Sequence, residues 1–198
     1  MDGEIKKLEK ITKETLDLLS AYKKAGLTLP FGLKGNIGEF LVAVELMKRF
    51  PNSKINFKGG ANPAVDIFID GKKIQVKTSF GHEIKRKTGT VRLEICPTVK
   101  RKVFKNKLCD YLILVVISLA RDYSSIENMN IYIFDDKDFK YFNPALCWSG
   151  KSKGDLTIAN IVEINGILSE KLNKEVSVYN TSKYRSLFKA AKDNWGKI

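Results

Sequence analysis

Apolar residues along this chain follow two periods, and the changes from one to the other divide it into elements. Over 4–24, Ile5, Leu8, Ile11, Leu16, Leu19 and Tyr22 recur near helical spacing and predict an amphipathic helix. The stretch 26–35 holds Pro30 and Gly32 and reads as a loop between that helix and the core. A second helix is predicted over 36–50, after which the period falls to two. Strands are predicted at 55–57, 91–96, 111–118 and 131–134, with a turn at 59–63. Between strands, 100–107 reads as a short basic helix and 140–155 as a loop or recognition insert. Residues 161–168 fit helix or strand, and 184–195 reads as a closing helix with Leu187, Phe188 and Ala191 inward. The apolar run 111–120 is too short to span a bilayer and reads as a buried strand.

The densest local signal lies between the second helix and the third strand. Val65-Asp66-Ile67-Phe68-Ile69, then Asp70-Gly71, then Lys72-Lys73-Ile74-Gln75-Val76-Lys77 is two short apolar strands around a type I′ turn. With Asp70-Gly71 as the loop, Ile69 pairs with Lys72, and Asp66 comes opposite Gln75. Side chains alternate along a strand, so Asp66, Gln75 and Lys77 project from one face. A slip of one residue puts Asp66 opposite Lys77 and keeps the three together. A carboxylate, a carboxamide and an ammonium in mutual reach can hold a divalent cation beside a phosphate and position an attacking water.

Glu39 belongs to the second helix. At 100° per residue, Ile37, Phe40, Val42, Ala43, Val44, Leu46, Met47 and Phe50 cover more than half of its circumference, and Glu39 falls inside that sector. Glu45, Lys48 and Arg49 share the opposite strip. A charge on a core-facing stripe is costly unless paired or metal-bound, which makes Glu39 a candidate ligand and Glu45 a surface residue. The competing reading puts Glu39 in the first helical turn, partly exposed and favoured by the helix dipole.

Composition narrows the partner. The 198 residues carry a formal charge of +13, and the segment 85–107 supplies eight of those thirteen charges. There Lys85, Arg86, Lys87, Arg92, Lys100, Arg101, Lys102, Lys105 and Lys107 are opposed by Glu94 alone. Directly after the hairpin, such a block suits a polyanion gripped through its phosphates; by itself it reads equally as a solvated face. Gly32, Gly35 and Gly38 lack a preceding strand and a following Gly-Lys-Ser/Thr, so they shape the start of the Glu39 helix rather than a nucleotide loop. Backbone N–H groups and Lys34 could meet a DNA phosphate there. His82, the single histidine, excludes a two-histidine zinc site and reads as a loop residue. Trp148 reads as core rather than as a base-stacking residue. Cys96, Cys109 and Cys147 are too scattered for a zinc knuckle or a disulfide framework and fit a reducing cytoplasm. The charged start shows no signal peptide, and no basic amphipathic anchor points to a membrane.

Asp66, eight intervening residues and Gln75-Val76-Lys77, with Gly38-Glu39 upstream, resemble the PD-(D/E)XK nuclease superfamily in its Gln-containing variant. Cys109-Asp110-Tyr111-Leu112-Ile113-Leu114-Val115 is similar to the next core strand of many members, and the resemblance spans 35–134. Ala64-Val65 stands where many members carry Pro, and Gln75 replaces the usual Glu or Asp, removing one anionic ligand. The resemblance implies an α/β fold: a restriction-endonuclease-like core with a central mixed β-sheet flanked by helices, plus an N-terminal helical extension. A single domain over 1–198 is expected, with the extension at 1–30, the nuclease-like core at 35–135 and a recognition or closing segment at 136–198. It further implies Mg²⁺, for which Mn²⁺ can substitute, held by Asp66, Glu39 and Gln75, with Glu94 in reserve. Lys77 then orients the attacking water or balances transition-state charge. Lys34, Lys85, Arg86, Lys87, Lys100, Arg101 and Lys102 would bind double-stranded DNA. Three functions compete: a homodimeric type II restriction endonuclease, a structure-specific nuclease such as a Holliday-junction resolvase, and a DNA-binding module that has lost its activity.

Overall fold

A computed structural model of the chain describes residues 2–28, 31–57, 65–80, 82–86, 89–95, 98–100, 108–139, 155–157, 161–164 and 182–198. For 31, 34, 82–86, 89–95, 98–100, 155–157, 161–164 and 182–186 it describes the backbone alone.

Helix α1 (Asp2–Lys24) buries Leu16 and Leu19 against helix α2 (Phe31–Arg49). Gly26, at φ +68°, ends α1: its N–H donates to Lys23 O, and Leu27 N–H donates to Tyr22 O. This is the left-handed glycine cap of a Schellman turn. α2 starts at Phe31, five residues before the expected position, so the loop expected over 26–35 is partly helix. Gly32, Gly35 and Gly38 weigh against helix by local propensity; tertiary packing overrides them.

The main sheet is mixed and five-stranded, in the order β1-β2-β3-β7-β8. Its members are β1 (Ile55–Phe57), β2 (Ile67–Ile69), β3 (Lys72–Phe80), β7 (Tyr111–Leu119) and β8 (Ile126–Asp135). β3 and β7 run parallel and the other neighbours antiparallel. All nine residues of β7 are buried, as expected of a central strand covered on both faces, which explains a sequence that is apolar but for Ser118. Ile67, Ile69, Ile74, Val76, Ile113, Val115, Ile117, Ile131 and Ile133 form one core with Leu16, Leu19, Ile37, Val42, Ala43 and Leu46 of the two long helices. On the opposite face, Tyr132 and Phe134 meet Phe188 edge-on, with ring centroids 5.1 and 5.2 Å apart. The fold is thus the expected α/β arrangement, a mixed sheet flanked by helices with a helix at its N-terminal end.

The chain then departs from the linear reading. β4 (His82–Arg86), β5 (Gly89–Ile95) and β10 (Ile161–Ile164) form a separate three-stranded sheet in the order β10-β5-β4, and β6 (Thr98–Lys100) pairs with β9 (Asp155–Thr157). His82 therefore opens a strand rather than sitting in a loop. The strand expected at 91–96 exists but lies outside the main sheet, and Lys100 ends a strand rather than starting a helix. Residues 161–164 resolve as strand, while 101–107 and 140–154 lie outside the described residues. A short helix α3 (Asp136–Phe139) follows β8, and α4 (Ser182–Ala191) is the closing helix, with Phe188 and Ala191 buried as expected. After it, Asp193 N–H donates to Ile131 O at 2.9 Å, Arg49 lies over the buried Trp195 ring, and Lys197 pairs with Asp138. No helix among the described residues is long and apolar enough to cross a membrane.

Candidate active site

The hairpin forms in the expected register, with Ile69 opposite Lys72 and Ile67 opposite Ile74. Asp70 and Gly71 take φ of +48° and +82°, the pair of positive values that a type I′ turn requires. Asp70 also accepts the N–H of Lys54 at 2.8 Å and returns its own N–H to Lys54 O, tying the turn to the residue before β1.

β2 and β3 part company at Asp66. Its N–H donates to Ile74 O at 2.9 Å, and its carboxylate accepts the N–H of Val76 at 2.7 Å. The side chain thus takes over the next rung of the ladder, straddling Gln75. β3 runs on to Phe80 in unbroken parallel register with β7. Gln75, Lys77 and Ser79 alternate onto one face, opposite the core face of Ile74 and Val76. Lys77 is half-buried, whereas Gln75 is 1% exposed, a buried amide rather than an open one.

Glu39 reaches this place because α2 lies unusually close to β3. A Cβ added at Gly38 would sit 1.8 Å from Thr78 Oγ1 and 2.8 Å from Thr78 Cβ, so only glycine permits the contact. Thr78 Oγ1 lies 3.5 Å from Gly35 O, at the outer limit of a hydrogen bond. Glu39 follows Gly38 and is half-buried. It stands more than two turns into α2, so the first-turn reading does not hold. Glu45 pairs with Arg49 at 3.0 Å on the outer side, as a surface residue should.

The charges of Asp66 and Lys77 reach Glu39, and that of Lys77 reaches Asp66. Burial pushes the Glu39 carboxyl above its ordinary range, the charge of Asp66 pushes it further, and Lys77 pulls it back. Burial likewise raises Asp66, against the lowering effects of Lys77 and of the Val76 N–H. Burial also drives the Cys109 thiol up to about 12, with Asp110 adding to the shift and the Gln75 backbone hydrogen bond opposing it. A cleft of about 300 Å³ opens beside Glu39 and Lys77, walled by Gly35, Val76, Thr78, Ser79 and Phe80. Asp66 and Gln75 are not part of its wall.

Among the described residues no three His, Cys, Asp or Glu side chains cluster as a metal cage. The candidate oxygen donors are two carboxylates and one carboxamide. Glu94 lies on β5 in the second sheet, with Glu163 as its cross-strand partner, not on a strand of the main sheet. Lys34 lies in α2, Lys85 and Arg86 in β4, and Lys100 in β6; the placement of their side chains, and of Lys87, Arg101 and Lys102 altogether, lies outside the described residues, as do Cys96, Cys147 and Trp148. Sequence reasoning stopped at Lys77 and missed Thr78, Ser79 and Phe80. The signal was present in the uninterrupted β-prone run from Ile74 to Phe80.

No protein-family profile matches the chain, and no curated protein matches it. Among solved structures, a bacterial homing endonuclease, I-Ssp6803I, is similar over 85% of this chain and 93% of its own, at 15% identity and a TM-score of 0.41.

Proposed function

We propose that this chain is a Mg²⁺-dependent DNA endonuclease of the PD-(D/E)XK type in its Gln-containing form, acting on duplex DNA as a homodimeric type II restriction enzyme. The observation that supports this most is that the charges of Asp66 and Lys77 act on the half-buried Glu39, and that of Lys77 on Asp66, where β2 leaves β3 and Gly38 lets α2 approach Thr78. Two half-buried carboxylates, both raised by burial and one raised further by the charge of the other, form a site that a cation would relieve. Mg²⁺ keeps several waters and needs few protein carboxylates, so the donor set fits it, with Mn²⁺ as a substitute. Glu39, Asp66 and the amide oxygen of Gln75 would hold it. When bound, Mg²⁺ supplies Lewis acidity at the phosphate and makes a nearby water more acidic.

The chain's own residues supply the rest. Lys77, fixed on β3 two residues after Gln75, holds a positive charge where the phosphate would gather negative charge. Asp66 keeps one oxygen on the Val76 N–H, which fixes its carboxylate, and leaves the other for a ligand. The basic segment at 85–107, which begins within β4, the strand that follows β3, would grip the duplex through its phosphates, in a salt-dependent manner.

The test is purified protein with Mg²⁺ or Mn²⁺ on plasmid, branched and single-stranded DNA, beside Asp66→Asn and Lys77→Ala. Discrete plasmid fragments lost in both variants are expected. Nicking confined to branched DNA would move the assignment to a junction resolvase, and salt-sensitive binding with no cutting would leave a DNA-binding module. Cutting that survives either substitution rejects the proposed residues.

A further inference from the structure

We infer that the backbone N–H of Thr78 donates a hydrogen bond to the DNA phosphate that Lys77 holds, which makes the outer edge of β3 part of the binding site. The substrate is that of the proposed function, on which this assignment rests. β2 pairs with β3 only from Lys72 to Ile74, whereas β3 runs on to Phe80. Asp66 takes one further rung, and beyond it no strand among the described residues pairs with β3 on that side. The other edge of β3 is paired with β7 throughout 74–80. Backbone groups of successive residues alternate between the two edges of a strand. Ile74 O and Val76 N–H both turn to Asp66, so the N–H of Thr78 turns the same way, while those of Lys77 and Ser79 turn to β7.

The cleft borders this open edge. Val76, Lys77, Thr78, Ser79 and Phe80 all line it, together with Gly35 and Glu39 of α2. Side chains of neighbouring residues lie on opposite faces of a sheet, so a space that touches an unbroken run of them lies along the strand's edge. β7 occupies the other edge, which leaves the outer one. There the N–H of Val76 is already given to Asp66, and that of the half-buried Thr78 is the next donor along. The Thr78 side chain has a separate task, meeting Gly38 and lying 3.5 Å from the Gly35 carbonyl, which holds the strand against the helix that carries Glu39. Glu39 brings a negative charge to the same cleft and opposes a phosphate there; Lys77 and the proposed cation offset it. A main-chain N–H adds a directed bond to an anionic oxygen with no side chain to order, and hydrogen bonds to charged acceptors are the stronger kind. Such a contact positions a nucleic acid but does not read its bases.

The experiment is equilibrium binding of the whole chain to duplex DNA, with Ca²⁺ in place of Mg²⁺, after the Thr78 amide is exchanged for an ester through its α-hydroxy analogue. The exchange removes the N–H and keeps the side chain. Affinity should fall about tenfold, with the melting temperature close to that of the wild type. Each linkage of the duplex is then replaced in turn by an uncharged methylphosphonate. At one linkage the ester should cost little further affinity, and at all others its full tenfold. The same exchange at Ser79, whose N–H turns to β7, should lower the melting temperature and produce no such linkage. Undiminished affinity in the Thr78 ester, an equal loss at every linkage, or a coupled linkage in the Ser79 ester as well overturns the assignment. Cutting of the unmodified duplex in Mg²⁺ is scored separately. A coupled linkage without cutting upholds Thr78 and rejects the nuclease, and cutting without a coupled linkage does the reverse.

Discussion

The carboxylate of Asp66 accepts the backbone N–H of Val76 at 2.7 Å, so the first acidic residue of the motif is also part of the sheet. One side chain closes the hairpin and faces the proposed chemistry, and the two roles separate under substitution.

Asp66→Ala removes an acceptor from a buried backbone N–H and should destabilise the protein by about 1–3 kcal/mol. Asp66→Asn keeps an oxygen for Val76 and should recover most of that loss, while both variants abolish cutting. Urea unfolding beside a plasmid assay measures the two effects. Equal stability of the Ala and Asn variants would show that the hydrogen bond contributes nothing.

Glu39 and Asp66 both hold their protons to higher pH in the folded protein than in the unfolded chain. Between the ordinary carboxylate range and the raised values the native state therefore binds more protons, and stability falls as pH rises through that window. Glu39→Gln should melt higher than wild type near neutral pH and converge with it in acid, where both side chains are uncharged. Mg²⁺ should raise the melting temperature of wild type more than that of Glu39→Gln. Melting curves from pH 4 to 8, with and without Mg²⁺, test both statements; a variant less stable at neutral pH contradicts them.

Gly38→Ala would force Thr78 or α2 to move, since the added carbon cannot occupy the space 1.8 Å from Oγ1. A loss of about 1–3 kcal/mol is expected, as for other overpacked contacts. Because Thr78 Cβ also lies too close, Thr78→Ser should not rescue it, but Thr78→Gly should give a favourable coupling in a double-mutant cycle. Additive losses would mean that the two residues do not meet.

Cys109 is 2% exposed and its thiol is pushed up to about 12. The thiolate is the reactive form, so Cys109 should resist iodoacetamide at pH 8 in the native protein and react once unfolded. Peptide mass mapping distinguishes it from Cys96 and Cys147. Rapid native labelling at Cys109 would show that the segment leading into β7 opens readily.

Much of the site was legible because its grammar is local. Asp70-Gly71 accepts two positive φ values, which fixes the hairpin register, and strand alternation then puts Gln75 and Lys77 on one face, while Asp66, just outside β2, turns its carboxylate to the Val76 N–H. The apolar run of β7 likewise announced a strand buried on both sides. Glu39 stood out as a charge on an apolar stripe, and it is half-buried beside the hairpin. Other features escaped because they depend on residues far apart in the chain. The start of α2 among glycines, its approach to Thr78, and the departure of β5 into another sheet with β10 are all set by packing partners, not by neighbours. The sequence by itself determined which residues share a face, since backbone geometry repeats every two or 3.6 residues. Only the tertiary structure decided how near those faces come: that distance is set by the missing side chain at Gly38 and the core that pulls α2 onto the sheet.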